Sequence, residues 1–189
     1  LSYNALHIFN RPTDGILHFS SASVPFDRNR MFSTLLRDRE GDLWLGAFDA
    51  GYHISFCPEE LSGHSLPFIK ETLGFDTNIN CMYEDEGGVL WFNQERNGIG
   101  LYAPDSGTYN LHPYSQKRNV EVNLIARSRF PNTVWIASAF VPTVFRAQRQ
   151  GMDIRFTDTL LLAHDGAETG HVTGMLEDPA GRLWVMTER

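Results

Sequence analysis

Asp85–Trp91 reads DEGGVLW, and the same frame stands at Asp38–Trp44 (DREGDLW) and at Asp178–Trp184 (DPAGRLW). In all three an Asp lies six residues before the Trp and a Gly three before it. A fourth copy, SRFPNTVW at Ser128–Trp135, has Ser in place of the Asp, one extra turn residue, and Asn132 where the others carry Gly. Asn comes next to Gly in tolerating a positive φ, so one tight turn is predicted for all four copies. The tryptophans stand at 44, 91, 135 and 184, which are 47, 44 and 49 residues apart. A repeat of roughly 40–50 residues is that of a four-stranded propeller blade.

The runs around each turn carry the rhythm of strands. FSTLLRD, INCMYED, VNLIARS and VTGMLED precede the turns, and LWLGAF, LWFNQ, VWIASAF and LWVMTE follow them, which reads as a hairpin closed by a Gly or Asn turn. A third run (GYHISF, GIGLYAP, TVFRAQ) and a fourth (SLPFIKE, YNLHPYS, DIRFTD) complete a unit, with PDSGT at Pro104–Thr108 as a strong turn signal. The third unit has no comparable turn signal between its last two strands. Long amphipathic helical stretches are missing; only TLLLAHDGAE reads as a helical turn or loop insertion. Ala5–Ser20 resembles Gly100–Ser115, so it reads as the outer two strands of a blade. The fold class is therefore all-β: a β-propeller of four-stranded blades, about four blade equivalents, read as part of a larger propeller. Its units are an outer half blade at 1–20, blades at 30–71, 78–115 and 121–158, and an inner half blade at 171–189. The two halves can pair and close a small ring, or remain an open arc; an exposed strand edge is an aggregation liability, which favours the arc.

The 189 residues are 42% hydrophobic and 21% charged, which argues for a packed globular chain rather than extended disorder. The net charge of −7, with no local basic patch, argues against nucleic-acid binding by this segment. The longest apolar stretch, TVWIASAFVPTVF, is broken by Ser138 and Pro142 and falls short of the roughly 20 residues that span a bilayer. Residue 1 is Leu, and no charged segment leads into an apolar one, so the chain is expected to be part of a longer protein.

The repeat resembles the two-component regulator propeller repeats found in the sensor regions of bacterial hybrid two-component systems. Asn78, Ile79, Glu84, Asp85, Gly88, Leu90 and Trp91, then Gly98, Gly100, Leu101, Tyr102, Pro104, Asp105 and Gly107, carry the likeness in the second blade; Asp38, Gly41, Leu43, Trp44, Leu45 and Gly46 carry it in the first. Ser128 and Asn132 depart from it in the third. The resemblance implies a periplasmic or extracellular ligand-sensing domain of an inner-membrane protein whose full-length form is a histidine kinase. It further implies a glycan-derived ligand or a homodimer, no enzymatic activity in this segment, and membrane attachment only through other parts of the chain. Streptogramin-lyase-type propellers share much of the pattern, so a lyase is one alternative and a non-enzymatic interaction scaffold is another.

Catalytic and cofactor signals are weak. The acidic turns lack the spacing of a calcium loop and read as Asp side chains capping backbone N–H groups. The seven His are scattered, so no metal site is expected, and no cofactor is implied. Gly98 and Gly100 form only G-I-G, Ser65 lacks the glycine frame of a nucleophile elbow, and His171 is the one His at the start of an inner strand. Cys57 and Cys81 read as buried thiols, with a disulfide as the alternative. Ligand binding is expected in the connections opposite the repeated turns, because these differ between blades while the turns repeat. Arg28, Arg30, Asp49, Asn93, Glu95, Arg96, Asn97, Lys117, Arg118 and Asn119 are the candidates. Arg, Asn and acidic side chains supply the paired polar groups that sugar hydroxyls or uronic acids need.

Overall fold

The computed structural model describes residues 5–10, 15–20, 31–47, 50–57, 60–65, 78–94, 97–113, 121–138, 141–164, 167–168 and 170–188. They fall in two compact units, Leu1–Ile79 and Asn80–Arg189.

In the first unit, β1 (Ala5–Asn10) and β2 (Gly15–Ser20) form an antiparallel pair. A four-stranded meander follows: β3 (Phe32–Arg37), β4 (Leu43–Ala47), β5 (Ala50–Cys57) and β6 (Glu60–Ser65), hydrogen-bonded in that order. The second unit holds two more such meanders. One is β7 (Met82–Glu84), β8 (Leu90–Gln94), β9 (Gly98–Ala103) and β10 (Thr108–Pro113). The other is β11 (Val122–Arg127), β12 (Thr133–Ser138), β13 (Thr143–Gln150) and β14 (Asp153–Leu161). The pairs β15 (Ala163–His164) with β16 (Ala167–Glu168) and β17 (Val172–Glu177) with β18 (Leu183–Thr187) complete it. Each four-stranded meander is one blade, and β17–β18 repeats the inner hairpin of a blade.

The second strand of each complete blade, β4, β8 and β12, is buried along its whole length. This is why these strands read as near-continuous apolar runs instead of alternating ones. Between the second and third blades, Trp91, Ile99 and Leu101 pack on Val134, Ile136 and Phe145. On the other face of the third blade, Trp135, Ala137 and Val144 pack with Val172, Met175 and Val185. β18 carries the same motif but is only half-buried on one face and exposed on the other, with Trp184 58% and Met186 61% exposed.

The four turns share one local geometry. Gly41, Gly88 and Gly181 have φ of 100°, 74° and 80°, and Asn132 has φ 52° as the one non-Gly residue at positive φ among the described residues. A second regularity lies in the inner strands. The register slips between Phe32 and Thr34, between Val122 and Leu124, and between Val172 and Gly174, always five residues before the turn acid or its counterpart. Such a bulge re-aims the skipped side chain. Ser33 Oγ thereby donates to the Ile79 carbonyl, and Asn123 Nδ2 donates to the Val172 carbonyl at 3.1 Å, the latter tying β11 to β17. Gly46 stands at a close approach of two backbones: a Cβ there would lie 2.5 Å from the Ile79 carbonyl oxygen.

Two expectations change. The described residues of TLLLAHDGAE are neither helical nor a plain loop: Thr159–Leu161 extend β14, still paired with Phe145, Val144 and Thr143, and Ala163–His164 pair with Ala167–Glu168 as β15 and β16. Continued pairing satisfies backbone groups that a helical turn would have to satisfy alone. The third blade closes its outer hairpin with a two-residue connection, Gly151–Met152 between paired Gln150 and Asp153, with Gly151 at φ 64°. The local signal was Q-G-M-D, a short Gly turn different from the PDSGT form.

Candidate functional site

At the turn end of each blade a carboxylate holds the turn and the Trp together. Asp38 Oδ1 accepts from the backbone N–H of Gly41 and Asp42, both at 2.8 Å, while Oδ2 accepts from Trp44 Nε1 at 2.7 Å. Asp85 does the same with Gly87 and Val89 at 2.9 and 3.2 Å and with Trp91 Nε1 at 2.9 Å. Asp178 accepts from the Arg182 N–H at 2.9 Å and from Trp184 Nε1 at 3.0 Å. The spacing of six residues between Asp and Trp is the reach of this bond around the turn.

Ser128 cannot supply a carboxylate, and Trp135 Nε1 donates instead to Glu177 Oε2 at 2.7 Å, across 42 residues of sequence. The Arg129 N–H donates to the same oxygen at 3.1 Å, and its side chain lies 3.4 Å from Oε1. Burial pushes the Glu177 carboxyl up, but the bonds from Trp135, Arg129 and Ser128 outweigh it and hold it below its ordinary value. The side chain is only 3% exposed. Glu177→Ala is therefore expected to cost about 1.5–3 kcal/mol in urea denaturation, the range for hydrogen bonds to a charged group; an unchanged midpoint would show that the bond does not hold the blades.

Two guanidinium groups complete turn carboxylates. Arg149 donates from Nε to Asp85 Oδ2 at 2.6 Å and from Nη2 to Asp85 Oδ1 at 3.1 Å, linking the third blade to the second. The same Nη2 lies 3.0 Å from Asn132 Oδ1, so Asn132 serves both the left-handed turn and this link. Arg182 Nε donates to Asp178 Oδ2 at 2.7 Å. Bonds from Trp184 and Arg182 lower the Asp178 pKa, against burial.

The opposite end of the blades carries the connections expected to bind ligand. Arg28, Arg30, Asp49, Glu95, Arg96, Lys117, Arg118 and Asn119 lie outside the described residues. Asn93 and Asn97 are described. The Asn97 N–H donates to the Gln94 carbonyl at 2.7 Å, closing the turn between β8 and β9. Asn93 is fully buried, and its Oδ1 accepts from the N–H groups of Asn80 and Cys81 at 2.7 and 2.9 Å. It braces the start of its own blade, and its Nδ2 is buried without a partner. β10 leaves its sheet at Pro113, paired with Gly98, so it exits at the same end as the β8–β9 connection. Cys81 is a free, buried thiol whose pKa burial pushes up to about 12, against a smaller lowering by the Asn93 backbone, which leaves it protonated and unreactive. Burial likewise pushes the Tyr109 phenol up to about 12, against the hydrogen bond from Gln94 Nε2 at 2.8 Å.

Sequence reasoning missed two clusters at the turn end. A cavity of about 370 Å³ is lined by Phe130, Pro131, Asn132, Thr133, Arg146, Gln148 and Thr157. Arg146 there lies over Phe130 and Trp135, 5.3 and 5.6 Å from the ring centres, but is already ion-paired with Asp158. In the first blade, Asp38, Asp42 and His53 converge, with possible ligand atoms all within 4.8 Å of one another. No signal in the spacing reveals this, because His53 reaches Asp42 through the β4–β5 pairing.

Residues 166–189 match the two component regulator propeller family. No curated protein matches the sequence. The extracellular domain of the hybrid two component system BT4673 from B. thetaiotaomicron superposes with a TM-score of 0.72 at 13% identity, over 98% of this chain and 24% of that one. The corresponding domain of BT3049 from the same organism gives 0.68 at 15%, over 98% and 23%. A catalytically inactive virginiamycin B lyase from Staphylococcus aureus, crystallised with quinupristin, gives 0.72 at 16%, over 97% and 56%. The chain thus spans about a quarter of the length of the two-component domains it matches. With the repeated four-stranded meanders, these likenesses establish the fold as a β-propeller segment.

Proposed function

We propose that this propeller segment belongs to the periplasmic or extracellular sensor region of a hybrid two-component system and recognises a glycan-derived ligand without turning it over. The observation that carries the reading is the match of residues 166–189 to the two component regulator propeller, joined to the likeness of almost the whole chain to extracellular domains of such systems. In this reading the variable connections present Arg28, Arg30, Asp49, Glu95, Arg96, Asn97, Lys117, Arg118 and Asn119 to the sugar, while the turn end is scaffold. Asn93 supports that surface from beneath, since its side chain is buried. Ligand binding signals by favouring one of two states of the full-length protein, a histidine kinase, through differential affinity, and dimerisation through the propeller edge is compatible with it.

The lyase likeness supports a second reading, in which the propeller cleaves its ligand. Such chemistry needs a general base. His171 is exposed beside the start of β17, and its carbonyl accepts from the Glu188 N–H at 3.1 Å. The test is to incubate the intact extracellular region with a panel of neutral and acidic oligosaccharides, measuring binding by calorimetry and products by chromatography. Saturable binding without products is expected, with Arg96→Ala or Arg118→Ala weakening a uronic-acid ligand by roughly 1–3 kcal/mol. Metal-dependent cleavage would replace the sensor reading by the lyase one. Dimerisation with no sugar binding would leave the scaffold reading.

A further inference from the structure

We propose that the first blade carries a divalent transition-metal site formed by Asp38, Asp42 and His53. Two observations lead to it. The first is convergence: His53 Nε2 lies 2.9 Å from Asp42 Oδ2, and one possible ligand atom from each of Asp38, Asp42 and His53 lies within 4.8 Å of the other two. Around a tetrahedral zinc, with bonds near 2.0–2.1 Å, ligand atoms stand roughly 3.3–3.5 Å apart, so small side-chain shifts close the triangle.

The second is the comparison among blades. In every other copy the carboxylate that receives the Trp indole also receives a guanidinium: Arg149 on Asp85, Arg182 on Asp178, Arg129 on Glu177. Asp38 receives two backbone N–H groups and Trp44, and no guanidinium among the described residues. Among the described residues Asp38 Oδ2 therefore accepts from Trp44 alone, where the matching oxygen of Asp85 and of Asp178 also takes a guanidinium. The first blade sets a second carboxylate and an imidazole around that place, which suits a metal ion better than an arginine. The imidazole is held in position, since its ring stacks on Trp44 at 4.2 Å between centres and 25° between planes. His53 and Asp42 are partly accessible, with side chains 16% and 25% exposed, so an ion and a water as fourth ligand can reach them.

One nitrogen and two carboxylate donors select zinc or a neighbouring transition ion over calcium, which takes 6–8 oxygens. The test uses the whole chain stripped with chelator and titrated with zinc chloride alone, with calcium chloride in parallel. Saturation at one zinc per chain is expected, together with a rise in the thermal midpoint, since the ion binds only the folded cluster. His53→Gln and Asp42→Asn should each weaken zinc by at least about tenfold, the lower end of what even outer-shell changes cost. His53→Arg guards against loss of folding: its register position opposite Trp44 is the one Arg146 occupies opposite Trp135, and it should keep the apo midpoint while losing the zinc response. Absence of saturable zinc binding, zinc binding unchanged in His53→Gln and Asp42→Asn, or calcium binding as tight as zinc would each overturn the site.

Discussion

Trp91→Ala is expected to lower the unfolding free energy by about 3–5 kcal/mol, the range for removing a large aromatic side chain from a packed core. The ring is fully buried in the cluster between the second and third blades. Its loss leaves a cavity and also deprives Asp85, itself 1% exposed, of one of its donors. Trp184→Ala is the internal control. It occupies the same place in the repeat, but its ring is 58% exposed, and its replacement is expected to cost less than about 1 kcal/mol. Urea denaturation of both variants measures the difference. Equal losses would mean that the indole's bond to its turn acid, and not burial between blades, is what stabilises the repeat.

Arg149→Met is expected to be of similar size, about 3–5 kcal/mol, because breaking a buried pair leaves an uncompensated charge. The side chains of Arg149 and Asp85 are 12% and 0% exposed. Burial raises the Asp85 pKa, but the hydrogen bonds from Arg149 and Trp91 and the charge of Arg149 hold it below its ordinary value. A carboxyl whose folded pKa is depressed stabilises fully above its unfolded value, near about 3.9, and loses that contribution as the pH falls through the lower folded value. Removing Arg149 takes away two of the lowering causes while leaving the burial. The acid limb of the variant's stability profile should therefore move to higher pH, which denaturation midpoints recorded across the acid range will read. An Asp85→Asn/Arg149→Met double variant that loses no less than the sum of the singles would argue against a coupled pair.

Three of the four turns were legible because everything they need lies within seven residues: a residue that tolerates positive φ, a carboxylate that accepts from the backbone N–H groups following it, and a Trp at the length of that reach. Asn132 could be read as the stand-in for Gly on conformational grounds alone, and it adopts φ 52°. The extension of β14 was not legible, because LLLA is equally compatible with a short helix and a strand, and pairing with Thr143 and Val144 decides between them. The expected ligand connections lie mostly outside the described residues, and Asn93 shows how a polar residue at a strand end can turn inward to serve neighbouring backbone.

By itself, then, the sequence determined the blade unit, its repeat and the place of each turn, since these follow from local φ preferences and the two-residue period of strands. Tertiary structure alone decided which side chain completes each unit. Glu177 replaces the missing acid of the third blade across 42 residues, Arg149 reaches Asp85 across 64, and His53 meets Asp42 only through strand pairing. It also decided that Trp91 is buried while Trp184, in the same motif, is exposed. The physical reason is that a strand's pattern fixes which face a side chain leaves from, whereas its partner is set by what packs against that face.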